Sequence, residues 1–212
     1  MALSLHSYWR AGAPYRVRIG LNLKGLSYDY VPVNLLAGDQ HRQAYKALNP
    51  QGLTPALVVD EALVLTQSLA ILEWLEETHP EPPLLPRAAA DRAVVRAMAG
   101  IVACDIHPLN NQRVLKALAG LGVDEAGRNA WAGRWIAAGF DALEPMIARH
   151  GRGFAFGETP TLADCCLIPQ VYSAGRFDVD MEPWPAIRAV AEAAAVHPAF
   201  AAARPERQPD AA

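Results

Sequence analysis

Apolar residues along the chain fall into two regimes: short runs punctuated by turn residues as far as Thr78, and long helix-prone stretches beyond Arg87. In the first regime, Leu3 to Tyr8 predicts a short strand and Arg10-Ala11-Gly12-Ala13-Pro14 the turn behind it. Apolar residues then alternate through Tyr15, Val17, Ile19, Leu21 and Leu23, a strand pattern taken alone. The punctuation overrides it, because Pro14 suits a first helical position and Lys24-Gly25 a helix end, and the segment reads as helix. Tyr28 to Asn34 predicts a second strand, and Gln40 to Leu48 a short helix or turn. Ala56 to Val59 and Leu63 to Leu65 form a strand pair around Asp60-Glu61. Thr66-Gln67-Ser68 then opens a helix carrying Leu69, Leu72, Trp74 and Leu75. This order makes residues 1–82 one small α/β domain.

The run Pro80-Glu-Pro-Pro-Leu-Leu-Pro86 can be neither helix nor central strand and reads as an ordered linker. Residues 88–212 beyond it read as all-helical. Ala88 to Leu118 is alanine-rich, with Pro108 placed to kink or split it. Asn129 to His150 sets Trp131, Trp135, Ile136, Phe140, Leu143 and Ile147 on one stripe, with Pro145 disturbing the helix near its end. Thr161-Leu-Ala-Asp164 has the spacing of a capping box, and a last helix around Ala186 to Ala195 precedes a polar tail ending Gln208-Pro-Asp210.

A length of 212 residues, 52% hydrophobic and 19% charged, gives enough material for one large domain or two small ones with real cores in a soluble protein. The net charge of −3, without a Lys/Arg cluster, argues against nucleic acid or an anionic membrane as partner. No secretory signal pattern opens the sequence and no apolar run approaches a membrane span, so a cytoplasmic location is expected. Cys104, Cys165 and Cys166 are odd in number and two are adjacent, which speaks against a disulfide framework. Neither they nor the scattered histidines have metal-ligand spacing.

Candidate chemistry concentrates between Asn49 and Glu77. Thr54, held extended before Pro55, offers unpaired main-chain groups to which an extended peptide can add. Ser68 lies where a helix opens, so a ligand carboxylate beside Gln67 and Ser68 would meet free N–H groups and the positive end of the helix dipole. Together they imply a peptide-like acid. The same residues also fit a strand pair with an ordinary serine cap.

An α/β unit, a proline-rich linker and a helical unit, with Pro55 and Gln67-Ser68 so placed, resemble the soluble glutathione transferase superfamily over nearly the whole chain. Tyr8-Trp9-Arg10, Arg16-Val-Arg-Ile19, Leu48-Asn-Pro50, the run Gln67 to Glu77 and Gln208-Pro-Asp210 are similar to the zeta class, whose members include maleylacetoacetate isomerase. Cys104-Asp-Ile-His-Pro-Leu-Asn-Asn111 and Ser173-Ala-Gly-Arg-Phe177 look closest to its glutathione-dependent maleylpyruvate isomerases. The resemblance implies a thioredoxin-like first domain that binds glutathione and an all-α second domain. Leu53 and Thr54 would bind the tripeptide, with Pro55 in the cis form and Thr54 pairing with its cysteinyl backbone. Gln67 and Ser68 would hold its γ-glutamyl end, and Asp105, His107 and Asn111 would face it from the helical domain. For those last three, a polar patch satisfying carbonyls freed at the Pro108 kink is the competing reading. A homodimer is also implied, and the alanine-rich first helix of the second domain suits close packing against a copy of itself.

The implied activity is isomerisation of a maleyl dicarboxylate in aromatic catabolism. It needs a thiol of lowered pKa and cations for the substrate's carboxylates. Arg10 and Arg176 lie in family motifs and are the candidates for the second demand, against a solvated strand-end charge and an inter-helix salt bridge respectively. The first demand is where the chain departs from the family. Zeta enzymes carry Ser-Ser-Cys in the turn before the first helix, and here those positions are Ala11, Gly12 and Ala13. A bound thiolate is left with the helix end, N–H groups near Ala13 and Tyr15, and the charge of Arg10. Three functions stay open: an isomerase, a transferase for other electrophiles, and a glutathione-binding protein without chemistry.

Overall fold

The computed structural model describes residues 1–211, which divide into two compact units. The first comprises Met1–Leu84 together with the segment from His197 onward, and the second is Leu85–Val196. In the first unit, strands β1 (Leu3–Ser7), β2 (Asp29–Pro32), β3 (Ala56–Val59) and β4 (Leu63–Thr66) form one sheet in the order β2-β1-β3-β4. β1 runs parallel to β2 and antiparallel to β3, with Leu5 opposite both Tyr30 and Leu57. β3 and β4 form the expected hairpin, and Asp60 and Glu61 in its turn both have positive φ (47° and 59°). Pro32 falls on an edge strand, where its missing N–H costs no ladder bond.

The helices of this unit are α1 (Gly12–Leu23), α2 (Gln43–Leu48) and α3 (Ser68–Thr78). Leu3, Leu5 and Ser7 are buried on one face of β1, and Ser7 bonds a side chain of α1. His6 points to the other face and meets the Tyr45 ring of α2 at 6.0 Å, so α1 and α2 cover opposite faces. The alternating segment is therefore helix, and the reason its period misled is now plain: Pro14 through Leu21 are all buried, so no polar stripe marks the outer side. Pro14 is the third residue of α1 rather than the first. Gly20 is a packing requirement, since a Cβ there would collide with the Leu72 side chain of α3.

Lys24 at the end of α1 is buried and binds Glu76 of α3 at 2.7 Å and the Pro82 carbonyl at 2.7 Å. The same Glu76 oxygen accepts from the Leu84 N–H at 2.8 Å. One ion pair thereby orders the proline-rich linker, whose Leu84 and Leu85 are buried.

In the second unit α4 (Ala89–Gly100) continues through a π-helical turn, Ile101–Ile106, into α5 (His107–Asn110). The chain breaks at Asn111, whose side-chain oxygen caps α6 (Gln112–Gly120) by accepting from the Arg113 and Val114 N–H groups. Pro108 thus splits the stretch, through a widened turn before it and an exit after it. The helix α7 (Glu125–His150) runs unbroken through Pro145, contrary to the disturbance expected there, and buries Ile136, Phe140, Leu143 and Ile147. Gly139 lets it touch Ile106, with which a Cβ would collide. The capping box opens α8 (Leu162–Arg176), and α9 (Pro185–Val196) closes the unit.

The tail is more structured than its composition suggests. It forms α10 (Pro198–Ala203) and a 3-10 turn, Pro205–Arg207, both within the first unit. The expected boundaries, with residues 88–212 all-helical, group these residues with the helical domain instead. What places them is α1, whose Asn22 side chain donates to the Ala199 carbonyl at 3.0 Å and whose Arg18 donates to Ala203 at 3.1 Å.

Asp164 yields the prediction of this section. Its carboxylate is fully buried and accepts from the Ala155 N–H at 2.7 Å, the Thr161 N–H at 2.7 Å and the Thr161 hydroxyl at 2.8 Å. Burial pushes its pKa up to about 6 although all three bonds pull the other way. Asp164→Ala strands two backbone donors at about 1–3 kcal/mol each, so its thermal midpoint should fall by on the order of 10 °C. A midpoint within one or two degrees of wild type would contradict that role.

Candidate functional site

From Ala11 to Pro14, where α1 begins, no residue carries a polar side chain, and Arg10 is the charged residue just before them. Ala11 is the N-cap of α1 and supplies no side-chain cap, and no acidic residue stands in the first turn. The Tyr15 N–H already donates to the Ala11 carbonyl at 3.1 Å and Pro14 has none to give. The open donors at this helix end are therefore Gly12 and Ala13, not Ala13 and Tyr15 as the sequence suggested. Tyr15 itself is buried, with the Arg18 guanidinium 5.0 Å from its ring centre. Arg10 is partly exposed and sits 5.4 Å from the centre of the Trp9 ring. This end of α1 can hold an anion through two N–H groups, the helix dipole and one neighbouring guanidinium.

A second anion position lies at the start of α3. Gln67 has φ 68° and ψ 115°, a conformation sparsely populated by residues with a side chain, and its amide reaches Gln51 at 2.8 Å. Ser68 is the first helical residue, buried, and its hydroxyl accepts from Arg16 Nη1 at 3.2 Å. The ordinary serine cap does not describe it: Gln67 occupies the cap position, and the Ser68 oxygen is engaged by a buried guanidinium from α1. A charge behind the hydroxyl and free N–H groups in front suit a carboxylate.

Between these two positions, Thr54-Pro55 is cis. The Asn49 side chain shapes the loop before it, accepting from the Gln51 N–H at 3.1 Å and donating to the Leu53 carbonyl at 2.7 Å. The Tyr45 hydroxyl donates to that same carbonyl at 2.6 Å, so Leu53 retains only its N–H for a ligand. Thr54 has no hydrogen-bond partner among the described residues, which leaves its main-chain donor and acceptor open to an extended peptide.

In the second unit, the π-helical turn sets Asp105 outward while His107 and Asn111 stay partly covered. π turns recur where a helix is bent to serve a site. His107 is helical and Asn111 has left the helix, so the shared helix face expected from their spacing is interrupted, and the Asn111 oxygen is spent on capping α6. Arg176 ends α8, exposed, with its guanidinium 5.9 Å from the Phe177 ring centre. The sequence candidates divide between the units: Arg10, Leu53, Thr54, Gln67 and Ser68 lie in the first, Asp105, His107, Asn111 and Arg176 in the second.

Sequence reasoning missed Arg16, Arg18, Gln51 and the use made of Asp210. Two arginines two residues apart in an otherwise apolar helix were the available signal, since such charges are buried only with partners.

Residues 12–83 match the family model of the glutathione S-transferase N-terminal domain, and residues 125–202 that of its C-terminal domain. Among curated proteins, the chain is 54% identical to a maleylpyruvate isomerase of a Ralstonia species, covering 99% of this chain and all of that protein. Among solved structures it matches a holo maleylpyruvate isomerase, described as a bacterial zeta-class glutathione S-transferase, with a TM-score of 0.96 and 53% identity over 99% of this chain and 100% of the other. A maleylacetoacetate isomerase from Anaeromyxobacter dehalogenans, solved with glutathione in its active site, gives 0.91 and 47%, covering 100% and 98% of the two chains.

Proposed function

The chain belongs to the glutathione S-transferase family, in its zeta class, and from that premise we propose that it is a glutathione-dependent cis–trans isomerase of maleylpyruvate or maleylacetoacetate. The observation that carries the reading is similarity to such isomerases over the full chain, and the cradle in the first unit fits it. Ser68, backed by Arg16, takes the γ-glutamyl carboxylate with Gln67 beside it, and Thr54 pairs with the cysteinyl backbone. Leu53 lends its N–H. Asp105, His107 and Asn111 are assigned to the same ligand on the family resemblance.

Bound glutathione supplies a thiolate that adds reversibly to an alkene carbon, turning the double bond into a single bond about which the dicarboxylate rotates before the thiolate leaves. The protein's first task is to keep that sulfur ionised, which Gly12 N–H, Ala13 N–H and Arg10 do by placing positive potential at it. Its second is to hold two carboxylates while charge spreads onto the substrate's carbonyl. Arg10 and Arg176 serve here, each with a planar fork matched to a carboxylate.

The protein is also read as a cytoplasmic homodimer acting in aromatic catabolism. Free Cys104, Cys165 and Cys166 suit a reducing compartment, and among the described residues no helix is long and apolar enough to cross a membrane. Light scattering at micromolar concentration should return twice the mass of one chain; the mass of a single chain across the dilution range contradicts pairing.

The deciding assay follows maleylpyruvate and maleylacetoacetate with and without glutathione, and turnover should appear only with it. Arg10→Ala and Arg176→Ala should each lower kcat/KM for the dicarboxylate with glutathione affinity nearly unchanged. Ser68→Ala should instead weaken glutathione by about 1–2 kcal/mol in calorimetry. Conjugation of other electrophiles without isomerisation would make the protein a transferase, and binding without either reaction would make it a silent glutathione-binding protein.

A further inference from the structure

Three hydrogen bonds converge on the residues just before α1, and two of them tie Trp9 to distant parts of the chain. Arg18 Nη2 donates to the Trp9 carbonyl at 2.7 Å, while the Trp9 N–H donates to Asp210 Oδ2 at 3.2 Å. The other oxygen of Asp210 accepts from the Tyr30 hydroxyl at 2.6 Å. Two residues further on, the Ala11 N–H donates to the Tyr8 carbonyl at 3.1 Å and the helix begins. Arg18 also binds the Ser7 hydroxyl at 3.1 Å and the Ala203 carbonyl at 3.1 Å. The tail that delivers Asp210 is itself tied down, since the Gln208 amide donates to the carbonyls of Ala202 at 3.1 Å and Arg204 at 2.8 Å.

Within itself the turn has that one backbone bond and no side-chain bond. Ala11, Gly12 and Ala13 bear no polar side chain, and the N-cap makes no side-chain bond. We propose that Asp210, Tyr30 and Arg18 are positioning residues for the thiol: they clamp the Trp9 backbone from both sides and so fix the direction in which Gly12 N–H and Ala13 N–H point. The inference rests on the glutathione reading above. It adds a task for the Gln208-Pro-Asp210 tail, which touches neither the thiolate position nor the arginines assigned to the substrate. Burial and the bond to Asp210 both raise the Tyr30 pKa, so the phenol remains a donor at neutral pH.

Asp210 is a carboxylate in the same unit as the sulfur it helps to hold, which makes the sign of its removal informative. If its charge were what mattered, Asp210→Ala would favour the thiolate. If it acts by positioning, removal loosens the helix end and disfavours the thiolate. Tyr30→Phe tests the same clamp with no change of charge.

The experiment is an ultraviolet titration of the glutathione complex of wild type, Asp210→Ala and Tyr30→Phe, with amide exchange at Trp9 and Ala11 in the free protein. Asp210 is only partly buried and near the chain end, so the fold should survive; Tyr30→Phe carries the test if it does not. In both variants the exchange should accelerate and the bound thiol should titrate higher. The thiolate fraction at pH 7 should fall by about threefold to tenfold. kcat should fall with it, while KM for the dicarboxylate stays put. A bound thiol that titrates at or below the wild-type value in both variants overturns the proposal. A wild-type complex that titrates like free glutathione removes the underlying reading as well, a result visible before any variant is compared.

Discussion

A guanidinium without any solvent exposure, that of Arg18, is the contact on which the first unit turns. Taking such a charge out of water costs several kcal/mol unless its donors are matched. Here three oxygens meet it: a hydroxyl from the end of β1, a carbonyl from the turn, and a carbonyl from the C-terminal helix α10. Burial lowers its pKa, opposed by the negative charge of Asp210, yet an arginine keeps its proton in any such setting. The charge can be buried only if β1, the turn and the tail all arrive together. This is why a segment distant in sequence belongs to the first unit, and why a turn of Ala-Gly-Ala has a defined shape.

Much of the architecture was legible before any coordinates. The hairpin at Asp60-Glu61, the helix opening at Ser68, the proline-rich linker and the capping box at Thr161 are local signals, each decided by a few neighbouring residues. The α1 helix was legible from its punctuation and not from its period, and Pro145 and the tail are where the fold departs from the local signals. α1 has no polar face to display a period because it is covered all round. Pro145 stays within α7, and the tail departs from the helical unit because α1 supplies its partners. The π-helical turn ahead of His107 has no sequence signature beyond the proline that follows it.

The site was legible as residue types and much less as geometry. Gln67 and Ser68 stand at a helix start as expected, but the backbone strain at Gln67 and the Arg16 donor behind Ser68 required the fold. At the other helix end, the sequence identified a deficit, the missing hydroxyl. The structure shows what remains: Gly12 N–H, Ala13 N–H and a nearby guanidinium. A helix terminus and one cation together stabilise an anion by about 1–3 kcal/mol when partly shielded from water, roughly one to two pKa units. Free glutathione is only a few per cent thiolate at neutral pH, so a shift of that size multiplies the reactive fraction without any hydroxyl.

The claim that backbone and Arg10 suffice is tested most directly by the thiolate absorbance of the glutathione complex as a function of pH, in wild type and Ala11→Ser. The account predicts a wild-type pKa clearly below that of free glutathione, with a further decrease and a gain in isomerisation when the hydroxyl is restored. A wild-type complex that titrates like free glutathione, with isomerisation absent until Ala11→Ser is made, would contradict it.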